Sequence, residues 1–212
     1  MTNVEGNLFM MCKNVNREAF SPIPPGYSVR SCRKDELSIW KSFPFDNDVL
    51  AKEYENYMTD YFNQVYASKG DLFFKWCKFV VEKNTDKPVA TCFAWKAYNS
   101  ITTIHWFKTL KEYENKGIGR GLLSIVMEEL TQSDYPVYLH TQPDSFRAIK
   151  LYTDFGFCLL DNKQVGTRTN NLITALPYLK EKMPADAYTN IKIATAPKEF
   201  LQMVDSSEIE EF

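Results

Sequence analysis

The chain has 212 residues, with 25 Lys and Arg against 27 Asp and Glu and a formal net charge of −2. That length allows one large domain or two small ones, with a core that needs neither metal nor disulfide help. Charges of both signs are interspersed without a long basic stripe, which argues against a nucleic-acid partner, and no run approaches the roughly 20 apolar residues of a bilayer span, which argues against a membrane one.

In chain order, the opening Met1-Thr2-Asn3-Val4-Glu5-Gly6-Asn7 has no basic segment followed by an apolar run, so no secretory leader is read there. Residues 1–26 are turn-rich toward Ser21-Pro22-Ile23-Pro24-Pro25-Gly26 and read as an irregular arm. Tyr27 to Cys32 is a short strand. A helix starts at Lys34-Asp35-Glu36 and ends before Pro44, because proline disfavours helix in the residue preceding it. Asp46 or Asp48 caps the next helix, whose apolar positions Leu50, Tyr54, Tyr57, Met58, Tyr61 and Val65 recur at helical spacing. Cys77 to Glu82, Val89 to Trp95 and Ile101 to Leu110 form a three-strand meander around the turn Asn84-Thr85-Asp86-Lys87-Pro88.

The pattern then changes. A glycine-rich segment leads into a helix through Leu122, Leu123, Val126, Met127 and Leu130; Val137 to Thr141 is a strand. Pro143 to Phe155 is a helix closed by Gly156, and Phe157 to Leu160 is a strand. The expected fold is α/β of the α+β kind, a mixed and mostly antiparallel central sheet flanked by helices. The expected layout is an arm over 1–26, a core over 27–160, and an extension over 161–212 packing on the same domain. That extension carries a helix around Pro177, a strand at Ile191 to Ala194, a helix at Lys198 to Val204, and a loose acidic tail from Asp205.

The five cysteines, Cys12, Cys32, Cys77, Cys92 and Cys158, are odd in number and irregularly spaced. They suit reduced thiols in the cytoplasm rather than a disulfide framework. Two separated histidines and scattered cysteines make no metal-ligand cluster.

The segment Glu114-Asn115-Lys116-Gly117-Ile118-Gly119-Arg120-Gly121 follows a strand and opens a helix. Glycines permit tight turns whose amides point inward, and amides at a helix N-terminus make an anion site. A phosphate or pyrophosphate is the natural guest. A glycine pair before a helix is also common as plain packing. No Gly-Lys-Ser or Gly-Lys-Thr ends the loop, so it is not a Walker A loop. Downstream, Ser145, Ala148, Leu151, Tyr152, Gly156 and Phe157 read S-x-x-A-x-x-L-Y-x-x-x-G-F. Ser145 and Tyr152 are seven apart and share a helix face, with Ala148 keeping it shallow between them.

These two segments resemble the GNAT superfamily of N-acetyltransferases. Its acyl-CoA loop reads Arg/Gln-x-x-Gly-x-Gly/Ala, and its second signature starts with Asn where this chain has Ser145. The likeness runs from about Pro88 to Cys158. It implies acetyl-CoA (or coenzyme A) as co-substrate, with no metal. By position, Phe107 and Thr109 would line the thioester and pantetheine arm. Asn115, Lys116, Gly117, Ile118, Gly119 and Arg120 would form the pyrophosphate loop, Ser145 and Ala148 would flank the ligand, and Tyr152 would face the sulfur. Glu114 departs from the family's Arg or Gln and puts a carboxylate near the phosphates.

The resemblance implies direct attack of a primary amine on a thioester. Tyr152 would protonate the leaving thiolate as general acid. His105 and His140 are candidate bases, since histidine titrates near neutrality; the plainer reading of each is a hydrogen-bonded histidine in the sheet. The acidic residues Asp46, Asp48, Glu53, Glu55 and Asp60 would draw in a cationic, small-molecule acceptor, or simply form a solvated face. Rival readings are a non-catalytic acyl-CoA-binding or scaffold protein on the same fold and a different phosphate-ligand protein. Oligomeric state stays open, a dimer being one option.

Overall fold

The computed structural model describes residues 5–207 and 209–212. Residues 1–4, on which the absence of a leader was partly read, and Glu208 of the acidic tail lie outside the described residues.

Strand β1 (Leu8–Cys12) is Leu-Phe-Met-Met-Cys, with all five residues buried. This corrects the irregular arm: a short continuous apolar run is the pattern of a strand covered on both faces, and the prolines beyond it belong only to the connection. Strand β2 (Tyr27–Ser31) and helix α1 (Leu37–Ser42) follow. The single helix expected next is two, α2 (Asp48–Glu53) and α3 (Glu55–Val65), which break at Tyr54. The cap of α2 is Asn47, whose side-chain oxygen accepts the Leu50 N–H at 3.0 Å, not Asp46 or Asp48. A short helix α4 (Leu72–Trp76) precedes the meander of β3 (Lys78–Glu82), β4 (Pro88–Ala97) and β5 (Ile101–Thr109). Helix α5 (Ile118–Glu128), β6 (Val137–Thr141), α6 (Phe146–Asp154) and β7 (Cys158–Leu160) complete the expected alternation. Beyond Asp161 come the two-residue strands β8 (Gln164–Val165) and β9 (Arg168–Thr169), then α7 (Leu172–Lys182) with Pro177 inside it. Helix α8 (Ala185–Thr189), β10 (Ile193–Ala194) and α9 (Lys198–Asp205) end the chain's regular structure. The result is the mixed, mostly antiparallel α/β architecture expected from the sequence. Among the described residues no helix is long and apolar enough to cross a membrane.

The chain divides into two compact units. The first holds the residues up to Ala19, Lys96–Thr103 and Leu130–Phe212. Its strands run in the order β10-β7-β1-β6 and on to the start of β5. Strand β1 lies antiparallel to both β6 (Leu8 opposite Thr141) and β7 (Met10 opposite Leu159), while β10 joins β7 in parallel. Phe9, Met11 and Tyr138 fill one face together with Phe200 and Val204 of α9, and Tyr138 stacks on Phe200 with centroids 3.9 Å apart. The tail is docked on this face, not loose. Tyr98 N–H donates to the Glu211 carboxylate at 2.8 Å, Arg168 pairs with Glu210 and donates to the Phe212 carbonyl, and the Phe212 ring meets Phe9, Tyr98 and Phe200. An aromatic residue and a cation waiting under it outweigh the tail's acidic composition.

The second unit holds Phe20–Trp95 and Ile104–Glu129, with strands ordered β5-β4-β3-β2. Strands β2 and β3 pair antiparallel from Tyr27 opposite Glu82 to Ser31 opposite Lys78. Its core is aromatic. Trp40 of α1 makes edge contacts with Phe62, Tyr66, Phe73 and Trp106, and Tyr66 also meets Phe93 and Trp95.

Candidate active site

The glycine loop is set in the second unit by two left-handed residues, Asn115 (φ +60°) and Gly117 (φ +79°), the second of which caps α5. The first backbone bond of the helix runs from Gly121 N–H to the Gly117 carbonyl at 3.0 Å, so the amides of Ile118, Gly119 and Arg120 have no carbonyl acceptor within the helix. They sit at the positive end of the helix dipole. Gly119 lies against β5: a Cβ there would sit 3.1 Å from Phe107 Cζ and 3.3 Å from Thr109 Oγ1. Phe107, Thr109 and Gly119, named separately by the sequence reading, thus meet in space.

The flanking charges are partly engaged. Lys116 Nζ sits 4.8 Å over the Tyr113 ring, and the Tyr113 hydroxyl donates to Glu82 at 2.8 Å. The hydrogen bonds from Thr85 and Tyr113 hold the Glu82 carboxyl below the usual carboxylate range. Glu114 is half-buried at the head of the loop, and its N–H donates to the Lys111 carbonyl at 3.3 Å.

Residues 20–24, which the sequence reading gave no role, run along the same helix. A Cβ at Gly121 would lie 2.9 Å from the Pro22 carbonyl oxygen, and Pro24 approaches Gly117. Ser21 N–H donates to Ser124 Oγ at 2.9 Å, and Ser124 Oγ donates to the Arg120 carbonyl at 2.8 Å. The third glycine of the run was the available signal, since a small residue on the first turn admits a second backbone.

Strand β5 is irregular at Trp106, which holds φ +49°. For a bulky residue that conformation costs about 1–3 kcal/mol and persists only where the surroundings fix it. The indole N–H donates to Tyr66 Oη at 3.0 Å, and the same oxygen lies 2.5 Å from His105 Nδ1. His105 is 3% exposed, and burial pushes its pKa down to about 3. That geometry supports the hydrogen-bonded structural role, and an enclosed imidazole of such low basicity is poorly suited to take up a proton.

In the first unit, Ser145 stands at the cap of α6, and Ala148 and Tyr152 follow at helical spacing. Tyr152 is 5% exposed and its ring meets Phe157 at 5.7 Å. His140 lies elsewhere. It pairs across the sheet with Phe9, next to Tyr138 on the α9 side at a spacing of two, and its Nε2 bonds Asn7 Oδ1 at 2.9 Å. The opposite side of the sheet carries Cys12, which contacts the Phe155 carbonyl at the end of α6. His140 and α6 are therefore on different faces. Burial and the nearby Arg168 charge push His140 down to about 3. Burial likewise pushes the Cys92 thiol above its ordinary value. Of the acidic residues near α2 and α3, Asp46 is taken by Lys108 at 2.7 Å, while Asp48, Glu53, Glu55 and Asp60 are exposed. Among the described residues no group of three or more His, Cys, Asp or Glu is placed to hold a metal ion.

The profile of the Acetyltransferase (GNAT) family matches residues 49–157, just over half of the chain, and the chain belongs to that family. No curated protein is matched by the sequence. Among solved structures, it is similar to an acetyltransferase from the GNAT family from Colwellia psychrerythraea, at 13% identity and a TM-score of 0.53 over 75% of this chain and 54% of that one. It is also similar to a tandem GNAT protein from the clavulanic acid biosynthesis pathway, at 10% identity and a TM-score of 0.52 over 74% of this chain and 50% of that one. At these identities the likeness is one of fold. The chain spans about half the length of these two solved structures.

Proposed function

We propose that the protein transfers an acetyl (acyl) group from acetyl-CoA to a primary amine of a small molecule in the reducing cytoplasm. The observation that carries this reading is the meeting of Gly119 with Phe107 and Thr109 at the glycine-capped N-terminus of α5. A pyrophosphate fits there, because the loop offers convergent N–H donors and no side chain at Gly117 or Gly119 to obstruct them. Ile118, Gly119 and Arg120 donate those N–H groups, joined by Asn115 and Lys116. Phe107 and Thr109 line the path of the pantetheine arm, and the motif on α6 gives Ser145 and Ala148 the role of ligand-flanking residues. Family membership and five free cysteines are consistent with this reading.

Bound in this way, acetyl-CoA supplies an activated acyl thioester. A backbone N–H of β5 near Phe107 stabilises charge on the carbonyl oxygen. Tyr152 gives its phenolic proton to the departing sulfur. The amine nitrogen forms the new bond to the acyl carbon as the carbon–sulfur bond breaks, and its surplus proton leaves to solvent, since neither histidine is suited to take it. The exposed carboxylates of Asp48, Glu53, Glu55 and Asp60 favour a cationic acceptor.

A second reading is a non-catalytic acyl-CoA-binding protein on the same fold. It is favoured by the enclosure of both histidines and by Glu114 at the loop. Calorimetry with acetyl-CoA, and with ATP as control, comes first. Saturable binding of acetyl-CoA alone supports the site, and a screen of amines then separates enzyme from scaffold. Absence of acetyl-CoA binding would end both readings.

A further inference from the structure

Successive side chains of a strand point to opposite faces of the sheet. In β5 two successive side chains, His105 and Trp106, nevertheless reach one atom, the hydroxyl oxygen of Tyr66. The left-handed φ at Trp106 is what allows it. The same turn of the chain sends Phe107 and Thr109 the other way, onto Gly119 of α5. Tyr66 is fully buried in an aromatic shell of Trp40, Phe73, Phe93 and Trp95. Its oxygen has one proton and two lone pairs. Trp106 N–H takes one lone pair, and His105 and Tyr61 take the other two positions, so all three are filled in either tautomer of His105.

We propose that Tyr66 is a positioning residue: its hydroxyl pins the irregular turn at Trp106, and thereby holds the Trp106–Phe107 backbone and the Phe107 side chain in register with the loop of α5. The inference rests on the acyl-CoA reading of that loop. On this view β5 owes its shape at the thioester to a residue of the α3–α4 connection that never touches the ligand. Trp106 is the link, since its strained backbone has a hydrogen bond from its side chain to hold it and no glycine to relax it.

The test uses Tyr66→Phe, which deletes one oxygen, with acetyl-CoA and free coenzyme A as the two probes in calorimetry. Free coenzyme A lacks the thioester carbonyl and depends on the loop. Loss of the pin is expected to weaken acetyl-CoA binding about tenfold, the scale of one lost buried hydrogen bond, and to leave coenzyme A binding unchanged. The indole N–H resonance of Trp106, assigned through Trp106→Phe, is expected to shift in the same variant. Trp106→Phe removes the donor from the other side and should reproduce the selective loss. The double variant should be no worse than either single one. If Tyr66→Phe does not fold, Trp106→Phe carries the test alone. Equal loss for both ligands, or no loss for either, overturns the pin while leaving the loop assignment standing. Failure of the unaltered protein to bind either ligand overturns the acyl-CoA reading itself.

Discussion

The ring of Phe107 lies so close to Gly119 that a methyl group on that glycine would sit 3.1 Å from its Cζ. Strand β5 and the first turn of α5 are thereby locked together at the N-terminus of the helix. Gly119→Val should push the ring aside and fill the space over those amides. The expected cost is about 1–3 kcal/mol of overpacking, together with a fall in acetyl-CoA affinity of about tenfold or more. Calorimetry on the folded variant checks it, and unchanged affinity would separate Gly119 from the ligand.

Tyr152→Phe tests the proton donor. Turnover with any amine found in the screen is expected to drop about 100-fold, the lower end of what a positioned acid contributes. Affinity for acetyl-CoA should stay within about twofold, since a hydroxyl that acts only as the bond breaks adds little to ground-state binding. Full activity in the variant would remove the phenol from the chemistry.

Acid should weaken the fold before any carboxylate is titrated. Burial holds His105 and His140 at about 3, against an ordinary value of 6.5. Between those values the unfolded chain binds the extra protons, so stability falls as pH drops below about 6.5, by up to about 1.4 kcal/mol per pH unit for each histidine. Glu36, held low by its hydrogen bonds from Arg30, adds a loss of the same sign only as pH falls below its ordinary 4.5. Urea midpoints measured from pH 7 to pH 5 should therefore decline, and His140→Gln should decline less steeply. A flat profile for the unaltered protein would contradict the burial of both rings.

The docked tail makes a further prediction. Phe212→Ala removes a ring that meets Phe9, Tyr98 and Phe200. It should cost about 1–2 kcal/mol and lower the melting temperature by roughly 2–8 °C. A melting curve that matches the unaltered protein would mean that the ring adds nothing to the fold.

The parts of this fold legible in the sequence were those set by local chemistry. The turn at Asn84 to Pro88 marked the hairpin, the glycine run marked the start of α5, and Gly156 (φ +95°) marked the end of α6. What the sequence hid was decided at a distance. Leu8–Cys12 has no period of its own, and only its partners β6 and β7 make it a strand. Glu210 and Glu211 look like solvated tail until Arg168 and the Tyr98 amide are seen opposite them. His105 and His140 have a type that suits a base, and only their surroundings assign them otherwise. Trp106 gave no hint of its left-handed backbone, because nothing in residue identity marks a strained site whose restraint comes from Tyr66, in another element.

Strand β1 sits between β6 and β7, with Leu8 opposite Thr141 and Met10 opposite Leu159. It leaves the ribosome long before either partner exists, and at ordinary rates of synthesis the wait is on the order of ten seconds. During that time Leu-Phe-Met-Met-Cys is an unpaired apolar segment. The unit it belongs to completes its sheet only when synthesis has passed Ala194, so its folding comes late and the nascent chain is a candidate for chaperone binding at β1.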